Sequence, residues 1–113
     1  DDSNSKFYNQ LVDSLNVTKD WARSEVMRRS DHPYRGGVTV AHNPEAVPQG
    51  GSCIFLHIWK EPGAATSGCT AMTEDDLEKI LFWLDESKAP VLVQLTEADF
   101  QKWKAEGRLP KLR

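Results

Sequence analysis

The stretch CIFLHIW, residues 53–59, constrains the fold more than any other part of the chain. Successive side chains of a strand point to opposite faces. Ile54, Leu56 and Ile58 therefore share one face, and Cys53, Phe55, His57 and Trp59 the other. Both faces are apolar, so the strand needs cover on both sides and belongs in the middle of a sheet. Cys53, flanked by Ile-Phe-Leu, reads as a buried apolar-like thiol or as the partner of a cysteine in a missing upstream segment. Trp59 reads either as core or as the wall of a cleft beside His57.

The chain around this strand supplies several further elements. GVTVAHN, between a glycine pair and Asn-Pro, is rich in β-branched residues and predicts a second strand. PEAVPQGGS is loop, because its prolines and glycines exclude a regular element. APVLVQL predicts another buried strand. Thr73 caps a helix with Asp76 at its third position and Met72 stapled to Leu77; Leu77, Ile80, Leu81 and Leu84 form its buried stripe. Thr96 caps a last helix with Phe100 and Trp103 on one side. Phe7, Tyr8, Leu11, Val12 and Leu15 recur at helical spacing and predict a helix over residues 4–15. Ser24 is the N-cap of a short helix that ends before Asp31-His32-Pro33.

These elements make an α+β domain, mainly β sheet with flanking short helices. With 113 residues, 39% of them hydrophobic, the chain fits one domain. A net charge of −3, with both signs mixed along the chain, gives no cationic stripe for nucleic acid. Lys102, Lys104, Arg108, Lys111 and Arg113 form a basic tail, read as a solvated end. No apolar run approaches the roughly 20 residues of a membrane span. The start at Asp1, without methionine, is the start expected of a processed or trimmed piece.

One loop raises the question of chemistry. In HIWKEPGAATSGCTAM, residues 57–72, an imidazole ends the central strand and a thiol sits in a Ser-Gly-Cys turn just ahead of a capped helix. A thiol becomes a nucleophile when it is partly exposed, close to a base and near backbone N–H groups that hold an oxyanion. Cys69 as nucleophile, His57 as base and Gly68 as an opening for a substrate carbonyl meet those needs, and the helix start after Thr73 would favour thiolate. A Cys/His pair read from sequence is more often unconnected. A metal is not expected: Cys53 and His57 would lie roughly 13 Å apart along a strand, and His32 and His42 show no ligand spacing. No cofactor is implied.

GSCIFLHIWKEPGAATSGCTAM resembles the active-site segment of the L,D-transpeptidase (YkuD-like) catalytic domain family. In that family a strand histidine is followed by a loop and then Ser/Thr-His-Gly-Cys, an apolar residue and Arg or Asn. Thr66, Gly68 and Cys69 match that run, and His57 takes the place of the strand histidine. YRGGVTVAHN and PVLVQL also resemble a subgroup carrying FLHIW and T-x-GCTAM, so the similarity covers roughly residues 7–95. Two positions depart: Ser67 stands where the pattern has a second histidine, and Ala71 where it has Arg or Asn.

The resemblance implies a cysteine acyltransferase of the bacterial cell wall, acting in the periplasm, the cell envelope or outside the cell. Its partners would be peptidoglycan tetrapeptide stems. Cys69 and His57 would be catalytic, and Gly68, Ser67, Thr66 and Trp59 would line the oxyanion and substrate site. Hydrolysis by the same dyad, as an L,D-carboxypeptidase or peptidoglycan amidase, is the alternative enzyme reading. A non-catalytic wall-binding module is the alternative from another class. The family fold is a larger β-sandwich, so residues 1–113 are expected to be its C-terminal part, with an upstream segment of the same domain missing.

Overall fold

The computed structural model describes residues 1–111; Arg113 of the basic tail lies outside them. It is a small α+β structure in two compact units, Asp1–Trp83 and Leu84–Arg113. The first holds strands β1 (Gly37–Thr39), β2 (Phe55–Ile58) and β3 (Thr70–Met72) and helix α1 (Glu74–Trp83). The second holds, among the described residues, a 3-10 turn, Glu86–Lys88, and helix α2 (Glu97–Ala105). No helix among the described residues is long and apolar enough to cross a membrane.

The sheet has the order β1-β2-β3, which places the doubly apolar strand in the centre. β1 runs antiparallel to β2, and β3 runs parallel to it. The alternation along β2 decides which face does what. Leu56 and Ile58 pack with Leu77 of α1, helped by Val38, Val40, Met72 and Ile80. Leu77 is 1% exposed, and burying such a side chain contributes roughly 2 kcal/mol. Phe55 and His57 face the other way, toward Tyr34.

α1 starts where its cap predicts. The Asp76 N–H donates to Thr73 Oγ1 at 3.1 Å, and the Thr73 hydroxyl donates back to Asp76 Oδ2 at 2.8 Å. Lys79 and Thr73 hold the Asp76 carboxyl below its ordinary value. The stripe is narrower than predicted: Leu77 is buried and Ile80 partly so, but Leu81 is 41% exposed and Leu84 lies beyond the helix end. In the second unit, Thr96 caps α2 through the Asp99 N–H.

Three expectations are overturned. Residues 4–15 form turns instead of a helix, because Asn9 takes a left-handed φ of 54° and commits its side chain elsewhere. Its amide donates to the carbonyls of His42 and Asn43 and its oxygen accepts from the Cys53 N–H, three contacts that outweigh the helical periodicity. Residues 24–30 form no helix either: Glu25 is held by Tyr34, and Arg29 makes a two-point bond to Asp31. APVLVQL is irregular and exposed, with Val91 at 68%, Leu92 at 44% and Val93 at 40%. β-branched side chains favour strand only where a pleated, half-buried surface receives them. The third strand is Thr70–Met72 instead, and among the described residues the strands form a three-stranded sheet, compatible with a fragment of the domain that the resemblance implies.

Candidate active site

Parallel pairing of β3 with β2 brings the two ends of the loop together. His57 is in register with Ala71, so Cys69, two residues earlier, alternates to the same face as His57. About 6.6 Å of strand rise separates the two positions. Both side chains line one cavity of about 300 Å3, together with Trp59, Thr66 and Ser67.

The loop that closes this distance is built from two local devices. Pro62 and Gly63 sit inside a turn closed by the Ala64 N–H on the Glu61 carbonyl at 3.0 Å, with Gly63 at φ 77°. At the other end the Thr66 hydroxyl donates to the Cys69 carbonyl at 2.6 Å and accepts from the Gly68 N–H at 3.3 Å. Gly68 has φ 135°, a conformation L residues rarely adopt, and a Cβ there would come 3.3 Å from Ile54 Cδ1. Thr66 and Gly68 therefore shape the turn that presents Cys69, with the Gly68 N–H directed at Thr66.

His57 is half-buried and its Nδ1 lies 2.7 Å from the Ile58 carbonyl oxygen. A carbonyl only accepts, so Nδ1 carries the proton and the lone pair of the neutral ring is on Nε2. The basic nitrogen is thereby fixed. The other histidines are occupied by main chain, His32 on the Trp59 carbonyl and His42 on the Gly50 carbonyl, each at 2.9 Å.

Cys69 is free, as is Cys53. Its Sγ donates to the Cys53 carbonyl at 3.4 Å. Burial pushes the thiol above its ordinary value, and the Glu25 charge adds to that; the Phe55 N–H and the Tyr34 hydroxyl act in the opposite direction. The helix start after Thr73 was expected to favour thiolate; desolvation acts the other way and outweighs the donors around the sulfur. Cys53 also differs from its reading. It lies before β2 at φ 58° and is only partly buried.

Sequence reasoning missed Tyr34 and Glu25, which line the same cavity. The Tyr34 hydroxyl donates to Glu25 Oε1 at 2.9 Å, and its ring sits 5.0 Å from the His57 ring and 5.9 Å from Phe55. One signal for it was present in the sequence. Gly37 is the residue of β1 opposite His57, so no β1 side chain covers the imidazole, and the aromatic just upstream fills that place.

A family model, that of YkuD, the L,D-transpeptidase catalytic domain, matches residues 10–93. No curated protein and no solved structure matches the chain.

Proposed function

The chain belongs to the L,D-transpeptidase catalytic domain family, and from that membership we propose that it is a cysteine acyltransferase acting on peptidoglycan peptide stems. The observation that carries this reading is that Cys69 and His57 reach one face of the sheet and one cavity. Because burial raises the Cys69 thiol above its ordinary value, the reaction needs a base, and the Nε2 of His57 is that base.

In the first step Nε2 takes the Cys69 proton and the sulfur attacks the carbonyl carbon of the third stem residue. A C–S bond forms and the carbonyl becomes an oxyanion. The C–N bond to the terminal D-alanine then breaks, and the leaving nitrogen takes the proton from the imidazolium. The resulting thioester is attacked by an amine of a second stem, which loses its proton to Nε2 as the C–S bond breaks and the thiolate leaves. Ser67 and Trp59, on the cavity wall, contact the donor stem. Such a substrate places the protein in the cell envelope, outside the cytoplasmic membrane.

The test is incubation of the chain with disaccharide-tetrapeptide muropeptides. A tripeptidyl adduct on Cys69, released D-alanine and a cross-linked dimer are expected, all absent in Cys69→Ala. A bare tripeptide without dimer would replace transfer by hydrolysis. Unchanged tetrapeptide with a correctly folded chain would overturn the proposal.

A further inference from the structure

The cavity holds a second pair of groups that the acyl-transfer scheme does not use. A tyrosine hydroxyl has one proton to donate and can accept as well. The hydroxyl donates it to Glu25 Oε1 at 2.9 Å, while Tyr34 lines one cavity with Cys69 and acts there in favour of the ionised thiol. Two anions, a carboxylate and a nascent thiolate, therefore compete for one donor.

The surroundings decide which anion has it. Arg29 is on the same cavity wall, but its guanidinium is committed to Asp31 by bonds of 2.6 and 2.7 Å. Glu25 is exposed, and its carboxylate acts against the Cys69 thiolate. His57 of β2 and Cys53, ahead of that strand, line the cavity with the sulfur, and Asp1 and Lys60 complete the charged wall. Burial together with the Glu25 bond holds the Tyr34 phenol above its ordinary range, so it stays a donor throughout the neutral range.

We propose that Tyr34 is a further catalytic residue, the hydrogen-bond donor to the Cys69 thiolate, and that Glu25 is a positioning residue that withholds this donor until its own charge is neutralised. The proposal deepens the acyl-transfer reading and rests on Cys69 being its nucleophile. Ring contacts set the geometry: Tyr34 packs against His57 and Phe55, which holds its ring in the cavity that Glu25 and Cys69 share. A ligand group that neutralises Glu25, an ammonium by its chemistry, would release the hydroxyl to the sulfur as the substrate arrives. Without such a group the thiol would stay unreactive toward stray electrophiles.

The test is the pH profile of Cys69 alkylation by iodoacetamide in the full chain, mapped by peptide mass spectrometry. It needs no muropeptide, so a failure of peptide turnover leaves it intact. Glu25→Gln, near-isosteric at an exposed position, is expected to move the profile to lower pH and speed alkylation at neutral pH on the order of tenfold. Tyr34→Phe keeps the ring contacts, and is expected to move the profile to higher pH and slow alkylation. Circular dichroism should be unchanged in both. A profile that Glu25→Gln leaves in place or raises would overturn the gating role, and one that Tyr34→Phe leaves in place or lowers would overturn the donor role.

Discussion

Cys69 Sγ lies 3.4 Å from the main-chain carbonyl oxygen of Cys53, so the candidate nucleophile is tethered to the residue that leads into the central strand. The carbonyl holds the thiol form and the Phe55 N–H favours the thiolate. Because the tether is main chain, the Cys53 side chain is dispensable for it. At φ 58° an L residue carries a backbone cost that glycine does not. Cys53→Gly should therefore stabilise the chain by about 0.5–1 kcal/mol, net of glycine's larger unfolded-state entropy, seen as a higher urea midpoint. A lower midpoint would show that Cys53 packing matters more than its backbone.

The core depends on one side chain more than any other. Leu77 is the largest fully buried group and joins α1 to Leu56 and Ile58. Leu77→Ala should cost about 2–5 kcal/mol, and Thr73→Ala, which removes the α1 cap, about 1 kcal/mol. Urea denaturation distinguishes the two. Equal losses would mean that α1 is held by its cap and not by its packing.

What the sequence made legible was local. The caps at Thr73 and Thr96 act through residues three positions away, and both helices start there. β2 was legible because both of its faces are apolar over consecutive residues. The misreadings have a common physical cause in long-range partners. Asn9 bonds to residues more than thirty positions away, and this breaks a helix that its own neighbours favour. Thr70–Met72 has too few residues for a period, and becomes a strand because β2 offers it an edge. Of the candidate site, the Cys69/His57 pairing was legible because both residues bound one continuous loop. Glu25 and Tyr34 belong to a different stretch, and only the fold brings them in.

Gly68 offers a test of the turn apart from the chemistry. Its φ of 135° and the 3.3 Å approach of Ile54 Cδ1 leave no unstrained place for a Cβ. Gly68→Ala should destabilise by more than about 1 kcal/mol, and should lower the acylation rate more strongly than the stability loss explains, because the turn aims Cys69. Full acylation with reduced stability would show that Gly68 serves only the backbone.

The pH dependence of Cys69 follows from its sign. The thiol is an acid whose folded value burial raises, so the folded chain keeps its proton to higher pH than an unfolded cysteine does. Two consequences follow. Stability from this group is fully present below the ordinary thiol value of 9.0 and is lost as pH rises through the higher folded value, so the urea midpoint should fall on the alkaline side of 9.0 and Cys69→Ser should flatten that fall. Acylation by a carbapenem, an electrophile of the kind the family's cysteine attacks, should run through His57, since little free thiolate exists at neutral pH. The one-to-one adduct should map to Cys69 by intact-protein and peptide mass spectrometry, leave Cys53 free, and vanish in Cys69→Ser. In His57→Ala it should form at least a hundredfold more slowly at pH 7 and recover as pH rises toward the thiol's own value. An adduct on Cys53, or a His57→Ala rate that matches the parent at pH 7, would remove His57 from the role of base.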